Sequence, residues 1–451
     1  MGHSKHKKKI EVNRQSLVTK IDATLLYGTF ALLMFGPLAF GAVEPWSIFC
    51  VEIGTVVLVL LWLAKQWLND EITIHWNPLF LPMLAFAGLI AVQIIFGFTS
   101  YRHDTISQAL LYCAYGMLCF LATQTLRRSS QARRVALILA VFGVAVAAFA
   151  LLQGVAPNGK LYWVRVPRLG GRIYGPYVNH NHYAGLMELL VPIPLVISLS
   201  RLATEKTRIA AGVAAAIMTG TIFLSGSRGG MLAVFAELAL FGVILLRQKR
   251  SARVALGMAA FAVVLISLLV WLGGKELTSR LGSISQEARG EISGGMRLSI
   301  YKDGIRMFGH RPVLGWGLGT FPVIYPQFRS FYTNFFVNEA HNDYVQLLAE
   351  MGILGFGTML WFLTVLYRQT QRKIAKWPTE VTGAATLACS LGVVGILLHS
   401  LVDFNLQIPA NAALFFVFCS IASAPPLLTR LRKPKPVSTQ EEDFFPASEV
   451  V

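Results

Sequence analysis

Twelve stretches of about twenty residues, each nearly free of charge, recur along the 451-residue chain. A hydrocarbon core of about 30 Å is crossed by about 20 apolar residues in a helix, so segments of this length predict membrane spans. Their approximate bounds are 21–43, 47–64, 78–98, 107–125, 135–155, 182–200, 208–225, 229–246, 254–273, 343–367, 383–403 and 409–428. Composition agrees, with 55% hydrophobic and only 14% charged residues, where a soluble domain carries roughly a quarter charged. The expected fold is an all-α integral membrane protein of about 12 transmembrane helices, with no 20–50-residue repeat visible.

A net charge of +17 would suggest nucleic acid in a soluble chain. Here the positions of the cations decide. If the N-terminus is cytoplasmic, 26 of the 40 Lys and Arg fall in the cytoplasmic flank, loops and tail, as the positive-inside bias requires. Of the 14 on the other side, twelve lie in two long connections, 156–181 and 274–342. The predicted organisation is a basic cytoplasmic flank over 1–20, a polytopic catalytic domain over 21–428, and a disordered cytoplasmic tail over 429–451. Both termini are cytoplasmic, and the larger outer loop lies between helices 9 and 10. The basic N-terminus leads into many spans, so a cleaved signal peptide is not expected. All five cysteines fall in apolar stretches without C-x-x-C or zinc-like spacing, and read as small hydrophobes.

Outward-facing cations defy the general bias, and an anionic ligand at the interface is the simplest reason for them. The first long connection and the start of the next span bring together Arg165, Arg168, Arg172, Asn179, His180, Asn181 and His182. The second adds Arg280, Arg289, Arg297, Lys302, Arg306, Arg311 and Arg329, and closes on Asn338-Glu339-Ala340-His341-Asn342-Asp343. A loop arginine is most often only a solvated charge. Arg228 is a stronger candidate: it sits in the tight turn Ser225-Gly226-Ser227-Arg228-Gly229-Gly230 at the start of a span. A cation at a helix N-terminus is misplaced unless an anion joins it. His341, among polar neighbours at the start of the tenth predicted span, is placed to act as a proton acceptor, because the helix dipole disfavours a second positive charge there. The bland alternative is an ordinary surface or core histidine.

Other features carry less. Gly315-Trp316-Gly317-Leu318-Gly319 lacks G-x-G-x-x-G spacing and any βαβ context, and reads as loop. Glu188 and Glu237 lie within spans, either as proton or ion sites of a transporter or as buried partners for arginines. His182 and His399 show no metal-like pairing with a carboxylate.

His341-Asn342 followed by Gly352 and Gly355, within AHNDYVQLLAEMGILG, resembles the signature of bacterial O-antigen ligases and related O-antigen polymerases. SGSRGGML around Arg228, GGMRLSIYKDGIRMFGHRPVLGWGLGTF beginning with Arg297, and LHSLVDFNLQIPANAALFF resemble the same family. The resemblance implies transfer of a glycan from undecaprenyl diphosphate to an acceptor hydroxyl at the periplasmic face of the bacterial inner membrane. The acceptor is lipid A–core in a ligase, a second lipid-linked glycan in a polymerase, and a protein hydroxyl in an O-oligosaccharyltransferase. The ligase reading is preferred. It casts His341 as general base, Arg228, Arg297 and Arg172 as the diphosphate-binding cations, and Asn342, Asn181 and Asp343 as supporting residues.

No cofactor and no metal are expected, since the outer loops lack a dense Asp/Glu cluster and arginines can take the place of a divalent cation. Direct attack would invert the anomeric carbon. The implied partners are the lipid-linked donor, the lipid A–core or glycan acceptor, membrane lipids and envelope-assembly proteins, with no nucleic acid. The rivals from other classes are a lipid or solute transporter, which calls for groups near the bilayer midplane, and a non-catalytic scaffold.

Overall fold

The computed structural model describes residues 2–166, 172–247, 294–334 and 336–429. The ninth predicted span, the arginines Arg168, Arg280 and Arg289, and the tail from 430 lie outside the described residues. The described residues are helical, with isolated β-bridges and no strand. In chain order the helices are α1 (Gly2–Leu38), α2 (Pro45–Asn69), α3 (Phe80–Ile95), α4 (Arg102–Thr125), α5 (Ser129–Val155), α6 (His180–Leu190), α7 (Pro192–Leu199), α8 (Glu205–Ser225), α9 (Arg228–Arg247), α10 (Gly294–His310), α11 (Asp343–Ile374), α12 (Val381–His399) and α13 (Pro409–Ser423). Among the described residues nine helical stretches are long and apolar enough to cross a membrane, which makes this a multi-pass membrane protein.

Eleven of the twelve predicted segments coincide with helices, and three differ in ways that have local causes. The segment expected at 182–200 breaks between α6 and α7 at Val191-Pro192, where proline cannot donate to the preceding turn. α13 stops at Ser423, ahead of Pro425 and Pro426. α3 is shortened to 16 residues.

All eleven residues of α6 are buried, so this helix is the axis of the bundle. α5, α8, α9, α12 and α13 surround it in one continuous apolar core. The polar residues of α6, His180, Asn181, His182 and Glu188, are thereby held inside the protein.

The second long connection is not a loop throughout. α10, a single helical turn at Phe321–Ile324 and the approach to His341 enclose a small core of their own, with Ile300, Met307, Phe321, Tyr325 and Val337 at its centre. This cap is clasped to α11. The span is interrupted at Gly352, whose φ of 62° and ψ of −164° leave the helical region. Carbonyls freed by such an interruption need partners. Trp316 N–H donates to Ala349 O at 3.0 Å and Gly317 N–H to Glu350 O at 2.9 Å. A Cβ on Gly352 would lie 2.3 Å from Val313 O, and one on Gly315 would lie 2.3 Å from the Glu350 carbonyl carbon. Only glycine permits that approach, which accounts for two of the glycines in the sequence signature and the adjacent run. This run also meets a buried acidic side chain. Gly319 N–H and Phe321 N–H hold the two carboxylate oxygens of Glu350 at 2.9 and 3.0 Å.

Candidate active site

α11 begins with Asn342 as its cap: the side-chain oxygen accepts from the N–H groups of Tyr344 and Val345, both at 3.0 Å. The other end of the same side chain donates to Leu401 O at 2.8 Å. Asp343 continues the attachment, accepting from Ser400 Oγ at 2.6 Å, Leu406 N–H at 3.2 Å and Gln407 Nε2 at 3.2 Å. Asn342 and Asp343 thus tie the start of α11 to the turn between α12 and α13.

His341 immediately precedes the cap and has φ +52°, the left-handed region that costs a side-chain-bearing residue of order 1–3 kcal/mol. Its surroundings impose that conformation. Tyr301 O–H donates to His341 O at 2.8 Å, and Ala340 N–H donates to Gln346 Oε1 at 2.9 Å. The result aims the imidazole at a carboxylate: Nδ1 lies 3.6 Å from Asp403 Oδ1. The ring also meets Phe404 edge-on at 4.8 Å, and His182 meets the same phenyl ring at 4.8 Å.

Asp403 is 1% exposed. Burial by itself would raise its carboxyl, but the adjoining His341 and the charge of Arg297 hold it well below the usual carboxylate range. Phe404 N–H donates to its Oδ1 at 2.9 Å. An ionised Asp403 favours the His341 tautomer protonated on Nδ1, leaving Nε2 as the basic nitrogen.

Arg297 and Tyr301 are one turn apart on α10 and share a face. While Tyr301 holds the His341 carbonyl, Arg297 Nη1 donates to Val402 O at 2.6 Å. Burial pushes the Tyr301 phenol up, so it remains a donor. The cation therefore stands one residue from Asp403 along the same turn. A guanidinium has five N–H donors, so this contact leaves others for a ligand.

Arg228 is the first residue of α9 and is exposed. The turn before it is tight: Gly226 closes α8 at φ 78°, and Ser227 Oγ accepts from Gly230 N–H at 3.1 Å. The following Gly229 abuts Val402 and His399, which brings Arg228 to the edge of the same turn. Arg172 is at the rim, half-buried, its carbonyl accepting His180 N–H at 2.9 Å. Asn181 is buried on the first turn of α6, whose cap Asn179 accepts Asn181 N–H at 2.8 Å.

The structure thus gathers His341, Arg297, Asn342 and Asp343 on the 400–403 turn, with Arg228 beside it and Arg172 and Asn181 on the α6 side. Sequence reasoning gave no role to Asp403, Tyr301 or Phe404. The only signal for Asp403 was an isolated carboxylate between two apolar spans, inside LHSLVDFNLQIPANAALFF. His399 corrects an expectation: its Nδ1 lies 2.8 Å from Glu188 Oε1, with both side chains no more than 1% exposed. Glu188 therefore partners a histidine, not an arginine.

Beside the site opens an apolar groove of about 790 Å³ between α2, α3, α4, α11 and α13. Trp76, Phe80, Tyr112 and Phe416 are among its apolar lining residues, and Asp343 and Gln407 among its polar ones.

Residues 213–360, which include Arg228, Arg297 and His341, match the family model of the O-antigen ligase. No curated protein matches the chain.

Proposed function

We propose, for a chain whose residues 213–360 match the O-antigen ligase family model, that it transfers a glycan from undecaprenyl diphosphate to a sugar hydroxyl of lipid A–core. The transfer takes place at the periplasmic face of the bacterial inner membrane. The observation that carries this reading is the convergence of His341, Asp403 and Arg297 on one turn beside an apolar groove. A base and a diphosphate-binding cation then share a site at the end of a space suited to a lipid chain.

In the proposed reaction the acceptor oxygen attacks the anomeric carbon as the bond from that carbon to the diphosphate oxygen breaks. The hydroxyl proton passes to His341 Nε2. Asp403, facing Nδ1, stabilises the imidazolium that forms, as a carboxylate does behind a catalytic histidine elsewhere. Arg297, Arg228 and, at the rim, Arg172 stabilise charge developing on the leaving diphosphate. Guanidinium suits this task because its paired donors match phosphate oxygens. General-base assistance is worth about 10²–10⁴-fold, and fixed charge in a poorly hydrated site adds to it. A single displacement inverts the anomeric centre. The proposed topology keeps twelve spans with both termini cytoplasmic.

The test uses purified protein in lipid nanodiscs, supplied with undecaprenyl-diphosphate-linked glycan and lipid A–core, or with donor alone, and resolves products by mass. Glycosylated lipid A–core is expected. Donor-to-donor growth would instead make the chain a polymerase, and no turnover in either case would overturn the transferase reading.

A further inference from the structure

Below the turn that carries Asp403, the side chains of His399 and Glu188 share a hydrogen bond at 2.8 Å in the buried interior. The reaction scheme above leaves this pair unused, yet each member touches a different part of the site. A Cβ on Gly229 would fall 2.6 Å from Cδ2 and Nε2 of the His399 ring and 3.0 Å from Val402 Cγ2. On Gly230, a Cβ would fall 2.7 Å from Ala184 Cβ and 3.1 Å from Glu188 Oε1. The two residues that follow Arg228 therefore rest directly on the pair. On its other side, the His399 carbonyl accepts from Val402 N–H at 2.9 Å and Asp403 N–H at 3.0 Å. Val402 is in turn the residue whose carbonyl Arg297 holds.

We infer that Glu188 and His399 form a positioning pair of the transferase site, setting the distance between the Arg228 turn and the His341–Asp403–Arg297 group. The inference rests on the function proposed above. The physical reasoning is that Glu188, on fully buried α6, fixes the imidazole from one side. The ring then serves as the surface on which the start of α9 is seated, while the backbone of the same residue fixes Asp403. Two diphosphate-binding cations on separate helices need such a common reference, because a displacement of about 1 Å in a supporting group is enough to loosen a site.

The test measures farnesyl diphosphate binding and glycan turnover by the full-length protein in nanodiscs. Glu188→Ala and Gly229→Ala are each expected to weaken farnesyl diphosphate binding about tenfold and lower kcat about tenfold. Glu188→Gln, which keeps a hydrogen-bond acceptor, restores both to within about threefold of the parent. Combining Glu188→Ala with Arg228→Ala should weaken binding no further than Arg228→Ala alone, because the pair acts through that arginine. Unaltered binding and turnover in Gly229→Ala, or a fully additive double variant, would overturn the inference. If Glu188→Ala fails to fold, Gly229→Ala decides alone, since it disturbs the seat of α9 on the His399 ring without removing either member of the pair. A parent protein that transfers no glycan overturns the proposed function instead, and the binding comparison still reports on the pair.

Discussion

Arg165 and Arg297 stand in the two long connections, in stretches of similar composition, and meet opposite surroundings. Arg165 pairs with Glu44 at 2.7 Å and covers the ring of Phe40 at 4.4 Å. Around it Phe40, Tyr162 and Phe149 meet in edge and tilted contacts, and Tyr162 O–H donates to Leu38 O at 2.7 Å. Its charge is neutralised by Glu44, the cap of α2, while Tyr162 fastens the first connection to the end of α1. Arg297 is presented by a helix with its own core, spends one N–H on a backbone carbonyl, and stands next to the His341–Asp403 couple. The difference teaches that cations in long connections do not by themselves mark a site. A cation becomes available to a ligand when the protein holds it through a neutral acceptor and leaves the rest of its donors unspent.

The comparison is sharpened most by His341→Ala. It is expected to lower kcat by about 10²–10⁴-fold while farnesyl diphosphate binding stays close to that of the parent. A loss of binding in place of turnover would recast His341 as a ligand. Next in size, Asp403→Asn removes the charge behind the imidazole and should lower kcat by about 10²-fold, read from initial rates of glycan transfer across pH. Arg297→Lys keeps the charge but not the fork of donors, and a rise of about tenfold in donor KM is expected. The matching change in the other connection, Arg165→Gln, should leave kcat and KM within about twofold, since its partners Glu44 and Phe40 are not part of the site. An effect as large as that of Arg297→Lys would break the comparison.

The smallest effect is on stability. Burial, with Glu350 nearby, pushes the Glu339 carboxyl up to about 8. The native state then binds a proton that the unfolded chain has lost, so stability present at about pH 5 declines as pH rises towards 8. Thermal unfolding of Glu339→Gln across that window should show a flatter profile than the parent.

The spans could be read from the chain because length and apolarity are local properties. Arg228 and His341 could be read because each stands where a helix starts, and that position changes the electrostatics of any charge placed there. Arg297 was reached through its motif. Asp403 could not be read, because its partner is 62 residues away in sequence and the two meet only through helix packing. The Glu188–His399 pair, separated by 211 residues, was hidden for the same reason. The glycine run reads as loop, and its backbone is a loop. That its free N–H groups would take Glu350 as their anion required knowing that α11 is interrupted at Gly352.

The turn at 400–403 bears on how the protein is made. Its carbonyls and carboxylate receive Asp343 N–H, Asn342 Nδ2, Arg297 Nη1 and the His341 ring. Each of these partners is synthesised before the turn that receives it. During biosynthesis Arg297 and His341 therefore leave the ribosome without the acceptors that aim them, and the last two helices bring those acceptors. Assembly is ordered so that the site is completed only once nearly all of the chain is in the membrane.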